Sequence, residues 1–329
     1  MIITRTPFRI SLAGGGTDME AFYSKQAGAV VSFAIDKYMY ISVNPKFDGR
    51  TRVSYRETED VDKVSHLKHD LARETLAHFA ESGVEITSVS DIPDGGSGLG
   101  SSSSYAVGLA MALTANFRTA EERSILVEDA YYIERKLCEH PVGKQDHYAA
   151  GYGGLHFYKF FRDGTVSVEA LPLMAGLALE QELMLFFVGS TRVSKKILKE
   201  QENNIRMKPA SFLAAIKLRD LAIRLRGEIV AGHLENLGEI LDSGWHYKKQ
   251  MAEGITEGWI DDLYEKAKTA GATGGKLLGA GGGGFFLFAV PEARRADVTK
   301  ALGLRHVPFE IDMDGCKVIY KDGGRDAEG

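Results

Sequence analysis

Three glycine-rich segments hold the residues whose types and spacing could do chemistry. The middle one reads Pro93-Asp94-Gly95-Gly96-Ser97-Gly98-Leu99-Gly100-Ser101-Ser102-Ser103-Ser104. It follows a strand-like stretch, Val84–Ser90, and opens a buried helical one, from Ser101 to about Phe117. Glycines let a backbone pass close to a ligand, and the N–H groups of a helix start, with its dipole, favour an anion there. The hydroxyls of Ser101 to Ser104 add donors for phosphate and a hard oxygen for Mg2+. A capped helix after a linker is the plainer alternative, yet a cap needs one serine and does not need Gly95, Gly96, Gly98 and Gly100.

The first segment is Pro7-Phe8-Arg9-Ile10-Ser11-Leu12-Ala13-Gly14-Gly15-Gly16-Thr17-Asp18. Three glycines after a strand imply positive φ or close approach by another group, or else a flexible turn. The third is Gly274-Gly275-Lys276-Leu277-Leu278-Gly279-Ala280-Gly281-Gly282-Gly283-Gly284, directly before the apolar run Phe285–Val290. Chain entropy makes such a run costly, and a floppy linker fits poorly next to a buried strand. The commoner nucleotide templates fail. Lys276 is followed by Leu277, so no Walker A loop exists, and Ser101 stands where a dinucleotide fingerprint wants its third glycine.

The elements that must position these segments alternate between strand-like and helix-like patterns, which argues for a mixed α and β architecture. Strands are expected at Ile2–Arg5, Arg9–Leu12, Ala29–Ile35 and Tyr38–Val43, with Asp36-Lys37 as a tight turn. Helices are expected at about 66–82 and 121–139, and in the second half at 194–206, 209–227, 232–252 and 256–270. A change of domain is expected near Leu171-Pro172-Leu173, giving units 1–172 and 173–329.

Composition bounds the function class. Glycine supplies 37 of 329 residues, above the ~7% average. The formal charge of −5 argues against a global field for nucleic acid. Two cysteines cannot make a disulfide framework for a chain of this size, and no Cys/His cluster has zinc spacing. No apolar run approaches the ~18–20 residues that span a bilayer, and no signal peptide is visible. The expected setting is the cytoplasm, with no nucleic-acid or membrane partner and with a homo-oligomer left open.

Taken together and in order, the three segments resemble the three motifs of the GHMP kinases, over positions 7 to 284. Arg5-Thr6-Pro7 through Asp18, Gly143-Lys144-Gln145-Asp146-His147 through Gly154, and Leu278 through Gly284 are similar to the D-glycero-D-manno-heptose 7-phosphate kinase branch. The resemblance implies an α+β fold: a mixed-sheet N-terminal domain and a ferredoxin-like C-terminal domain, with the active site between them. It implies transfer of the ATP γ-phosphoryl, with Mg2+, to the anomeric hydroxyl of the 7-phosphate, giving the 1,7-bisphosphate for nucleotide-activated heptose synthesis. A sugar or sugar phosphate is the implied small-molecule partner. Galactokinases carry Glu and His where this chain has Gly15 and Gly16, which leaves room for a larger sugar; mevalonate kinases usually have Lys at the position of Arg9.

By the same resemblance Asp146, expected on a short loop, is the base and Arg9 its electrostatic partner. Pro93, Gly95, Gly96, Ser97, Gly98, Leu99, Gly100, Ser101, Ser102 and Ser103 would wrap the ATP phosphates. Gly14, Gly15, Gly16, Thr17, Asp18, Gly281, Gly282 and Gly283 would meet the sugar, and Ser102 with Glu134 would hold the metal. Asp18 could instead cap the next helix, and Glu134 could be a solvated helix carboxylate. Lys276 could meet a phosphate or only cover the loop. Arg192, Lys195 and Lys196 could bind a second phosphate or form a solvated helix start. The histidines show no metal geometry. The alternatives are a kinase of a free hexose or heptose, such as fucose, galactose or mannose, and a sugar- and ATP-sensing protein without transfer.

Overall fold

The computed structural model describes residues 1–93, 96–114, 120–189 and 194–322. In the first half the chain forms β1 (Ile2–Ala13), the short α1 (Glu20–Tyr23), β2 (Gly28–Pro45), β3 (Thr51–Ser54), β4 (Thr58–Val61), α2 (Asp70–His78) and β5 (Val84–Ser90). Then follow α3 (Ser101–Thr114), α4 (Ala120–Tyr132), which runs into a π-helical turn at Ile133–Leu137, α5 (Gln145–Tyr152), β6 (Leu155–Phe160) and β7 (Val166–Ala170). The second half comprises α6 (Leu173–Glu182), β8 (Leu183–Gly189), α7 (Ser194–Met207), α8 (Pro209–Ala231), α9 (Leu237–Lys249) and α10 (Gly258–Ala270). It ends with β9 (Gly274–Leu277), β10 (Gly284–Ala289), α11 (Arg295–Leu302), β11 (Arg305–His306) and β12 (Lys317–Lys321).

The first sheet runs β12-β1-β2-β5-β3-β4, with β6 on the first half of β2 and β7 beyond it. The β3–β5 pair is parallel and the others antiparallel, so the sheet is mixed. Phe8, Ile10 and Leu12 of β1 and Val31, Phe33 and Ile35 of β2 are buried in one core. The breaks expected after Arg5 and at Asp36-Lys37 are absent. Both strands are continuous, and their irregularities face each other: Pro7 pairs with Tyr38, while Phe8 already pairs with Ile35. Asp36 and Lys37 are thus the extra residues of a bulge, not a turn, and Pro7 sits where a missing N–H is tolerated.

The second sheet, β11-β8-β10-β9, is antiparallel throughout. In chain order its strands stand fourth, first, third, second, with helices between the first and second and between the third and fourth. That is the βαββαβ arrangement of a ferredoxin-like unit. Ala222 and Leu225 of α8, Leu185 of β8 and Phe285 of β10 belong to the same apolar cluster as β1 and β2, so the two halves share a core. β12 pairs with β1 although it lies near the C-terminus. The division at 172/173 is therefore a proposal in which the last strand returns to the first sheet.

One contact matters most for the site. At Gly108 helix α3 is pressed onto β1, where a Cβ would come within 2.6 Å of Thr6 Oγ1. Thr4 Oγ1 donates to the Gly108 carbonyl at 3.0 Å, and Ser104 Oγ to the Pro7 carbonyl at 2.9 Å. These bonds fix where the first turn of α3 lies relative to Arg9.

Candidate active site

A cleft of about 250 Å³ collects residues from all three glycine segments. Arg9, Gly15, Gly16 and Asp18 come from β1 and the turn after it. Gly96, Gly98, Gly100, Ser101 and Ser102 come from the entry to α3, and Gly281 and Gly283 from the loop before β10. Glu134 and Asp146 complete the set named from the sequence.

Arg9 and Asp146 form a fork. Nε donates to Oδ1 at 2.7 Å and Nη2 to Oδ2 at 2.8 Å, while Nη1 donates to the Gly98 carbonyl at 2.5 Å. Such a bidentate pair fixes both planes and is stronger than a neutral hydrogen bond. The Arg9 side chain is 5% exposed and that of Asp146 22%, so the carboxylate keeps an open face. Asp146 lies in the first turn of α5 rather than on a loop. Gly100, at φ +79°, leaves the pair its space: a Cβ there would stand 3.3 Å from Arg9 Cγ and from Asp146 Oδ2.

The α3 entry and the third segment lock together through their backbones. A Cβ on Gly98 would come within 2.3 Å of the Leu278 carbonyl oxygen, one on Gly279 within 2.4 Å of Gly98 Cα, and one on Gly284 within 2.4 Å of the Ser97 carbonyl. Gly96, Gly98 and Gly100 all have positive φ, so the path around the cleft is one that glycine follows without strain. Three glycines, two serines and a helix start line the cleft together, which suits a polyphosphate.

Asp18 does not cap α1, whose N-cap is Met19. Its carboxylate accepts from the Gly16 N–H at 2.8 Å and the Gln145 N–H at 3.1 Å, tying the first segment to α5. Burial pushes the Asp18 carboxyl up, and the charge of Asp146 adds to that. Glu134 is not solvated but fully buried in the π-helical turn. Burial by itself would raise its pKa, yet contacts from His140, His147 and Ser102 prevail and hold it well below the usual carboxylate range. Ser103 Oγ donates to its Oε2 at 2.9 Å, and His147 Nε2 lies 2.8 Å from the same oxygen. Oε1 has a longer contact of 3.4 Å, to His140 Nδ1. His140 and His147, which show no metal geometry in the sequence, therefore orient this carboxylate.

Several residues named from the sequence do not reach the cleft. Pro93 is exposed away from it, Leu99 is in the core, and Ser97 Oγ accepts from the Leu99 N–H. Ser103 faces Glu134 instead. Gly14 and Thr17 serve the turn: a Cβ on Gly14 would meet the Ala29 carbonyl, and Thr17 Oγ1 accepts from the Ala29 N–H. Gly282 donates to the Ile255 carbonyl. Gly95 and Arg192 lie outside the described residues. Lys195 lines the cleft, while Lys196 faces a different groove. The room expected at Gly15 and Gly16 is partly taken, since a Cβ at Gly16 would stand 2.5 Å from Gln201 Nε2.

Sequence reasoning passed over Ser11, Gln145, Gln201 and Lys248, all buried and all lining the cleft. Ser11 Oγ and Gln145 Oε1 have no hydrogen-bond partner among the described residues, which marks them as groups a ligand could satisfy. For Gln201 and Lys248 the periodicity gives a position on the buried helix face but not what the side chain meets there. Gln201 lies between Ile197 and Ile205 on the buried face of α7, and Lys248 follows Leu241 and Trp245 on that of α9.

A glycine-rich helix entry suited to a polyphosphate, beside a forked arginine and carboxylate in a two-sheet fold, is an arrangement that suits a phosphotransferase. Residues 65–154 match the GHMP kinases N terminal domain and residues 225–306 the GHMP kinases C terminal domain, together more than half of the chain. The chain belongs to the GHMP kinase family, whose phosphoryl donor is ATP. A D-glycero-alpha-D-manno-heptose 7-phosphate kinase of Campylobacter jejuni is 29% identical over 316 residues, covering 92% of this chain and 93% of that one. The crystal structure of a D-glycero-D-manno-heptose 1-phosphate kinase from Bacteroides thetaiotaomicron superimposes with a TM-score of 0.75 at 25% identity, over 98% of this chain and all of that one. A bifunctional fucokinase/GDP-fucose pyrophosphorylase of Arabidopsis thaliana is 22% identical over 93% of this chain, but only 31% of its own length. Among the described residues no helix is long and apolar enough to cross a membrane.

Proposed function

We propose that this protein is a sugar kinase that phosphorylates the anomeric hydroxyl of a heptose 7-phosphate. The observation that carries the proposal is the Arg9–Asp146 fork, hydrogen-bonded to Gly98 within the loop that opens α3. The names of the heptose kinases among the similar proteins support the substrate class.

The residues divide the work by chemistry. The N–H groups of Gly96, Gly98, Gly100, Ser101 and Ser102 take the phosphates of ATP and hold the terminal one toward Asp146. Asp18, Ser11 and Gln145 accept and donate hydrogen bonds to sugar hydroxyls, holding the ring so that one hydroxyl meets the open face of Asp146. Each Asp146 oxygen spends one lone pair on Arg9 and keeps another for that hydroxyl. Phosphoryl transfer passes through a loose transition state with little covalent demand on the protein. Asp146 therefore first orients the attacking oxygen and takes its proton as the new P–O bond forms. Arg9 stays charged throughout and offsets negative charge in the reacting region.

Mg2+ suits the oxygens on offer: the Glu134 carboxyl is held well below the usual carboxylate range, and Ser102 is an exposed hydroxyl beside it in the same cleft. Bound there, the metal would supply charge neutralisation for the β- and γ-phosphates.

A coupled ADP-release assay over heptoses, hexoses and their phosphates tests the reading, with the product's new phosphorus signal checked for coupling to the anomeric proton. Turnover is expected to be fastest on heptose 7-phosphate, with that coupling present. Turnover confined to a free hexose, or no Mg-ATP turnover on any sugar, contradicts it.

A further inference from the structure

Two lysines in the cleft have a role not yet accounted for. Lys248 of α9 and Lys276 of β9 are 8% and 9% exposed. Neither pairs with a carboxylate among the described residues. Lys248 Nζ donates to Gln201 Oε1 at 2.6 Å, and Lys276 Nζ to the Leu12 carbonyl at 3.3 Å. Buried ammonium groups are costly unless an anion meets them. Lys144 shows the ordinary solution in this same protein, with its Nζ 2.7 Å from both oxygens of Glu128.

Their positions say which part of a ligand they meet. Leu12, which holds Lys276, leads into the glycine turn that carries Asp18. Gln201, which holds Lys248, abuts Gly16 of that turn. Both cations therefore stand on the acceptor side, on the wall built by α9 and β9. The start of α3, which meets the chain just beyond β9 at Leu278, supplies the donors for the nucleotide phosphates. We infer that Lys248 and Lys276, with Gln201 holding Lys248 in place, form the subsite for a phosphomonoester carried by the acceptor sugar. This rests on the sugar-kinase reading above and assigns its second phosphate to residues other than Arg192, Lys195 and Lys196. Of these, Lys195 is two-thirds exposed and is already 2.7 Å from His140 Nε2.

The electrostatics of the empty cleft agree. Burial lowers Lys276 to about 7, with the charges of Lys248 and Arg9 adding to the shift. Burial lowers Lys248 to about 8; Arg9 lowers it too, while Asp18 and Asp146 act in the opposite sense. Glu134, His140 and Lys195 face the same cleft from the α4 and α7 side. A dianionic phosphate between the lysines raises both, so its arrival brings protons with it.

The test compares kcat/KM for heptose 7-phosphate and for unphosphorylated heptose in the wild type, Lys248→Met and Lys276→Met. Removing one cation from a charge-assisted contact is expected to cut the preference for the phosphorylated sugar by about 10-fold or more, through KM for the sugar. A measurement on the wild type alone guards against variants that fail to fold. Calorimetric titration at pH 8 in buffers of different ionisation enthalpy should show proton uptake on binding heptose 7-phosphate and none on binding heptose. Folded variants that keep the full preference, or whose defect falls on KM for ATP, overturn the inference and leave the sugar-kinase reading intact. A wild type that turns over free heptose at least as well as its 7-phosphate overturns the inference together with the heptose 7-phosphate reading.

Discussion

At the residue scale the site is a set of charges whose balance depends on what binds. Arg9 and Asp146 offset each other, and Glu134 is held by two histidines and a serine, whereas Lys248 and Lys276 pair with no carboxylate among the described residues. Their lowered pKa values have a consequence for stability. An unfolded chain holds these lysines near 10.5, and the folded one near 8 and 7. Between those values the unfolded state binds more protons, so stability rises with pH across roughly pH 7 to 10. Without ligand, the wild type should gain melting temperature from pH 7 to 9.5 relative to a Lys248→Met/Lys276→Met double variant. A constant difference would contradict the burial of two uncompensated cations. That Arg9, Asp146 and Glu134 belong at one cleft followed from the family resemblance, and the structure brings the three together. Lys248 and Gln201 were not legible, because a long polar side chain on a helix usually faces solvent. Here α7 and α9 turn theirs inward, and only the packed structure shows toward what.

At the element scale the glycine segments turn out to be backbone-to-backbone contacts as much as ligand loops. Gly98 lies against Leu278 and Gly284 against Ser97. The sequence announces that a side chain is unwelcome at these points but not what excludes it, since the partners lie far away along the chain. Bulges escape sequence reading for a related reason. Asp36-Lys37 has the composition of a turn, yet β1 pairs on both sides of it and keeps the strand running. The π-helical turn at Ile133–Leu137 was likewise read as plain helix, although it is what carries Glu134. Gly98→Ala should be more damaging than its φ of +76° alone implies. Gly49, at φ +72° with nothing within 4 Å of a Cβ, isolates the strain. Gly49→Ala is expected to cost about 1 kcal/mol. Gly98→Ala should lower the melting temperature further and raise KM for ATP severalfold, read by thermal unfolding and steady-state kinetics. Equal melting temperatures for the two variants would mean that the loop yields to the added methyl.

At the scale of the whole molecule, function depends on two sheets sharing one core and opening one cleft. Alternating patterns and three motifs in order made that architecture legible. They did not reveal that β12 returns to β1, because a five-residue strand near the C-terminus carries no sign of its partner. The shared core through α8, β8 and β10 sets the third glycine segment against the α3 entry, so the phosphate cradle has parts from both halves. The central claim is that Asp146, forked by Arg9, acts on the acceptor hydroxyl beside that cradle. Its most direct test is the sugar-dependent turnover of Asp146→Asn at saturating Mg-ATP, measured alongside its ATP affinity. The fork predicts a loss of turnover of ~10²–10⁴-fold with ATP affinity within a few-fold of the wild type. Turnover close to that of the wild type in a folded, ATP-binding variant would contradict it.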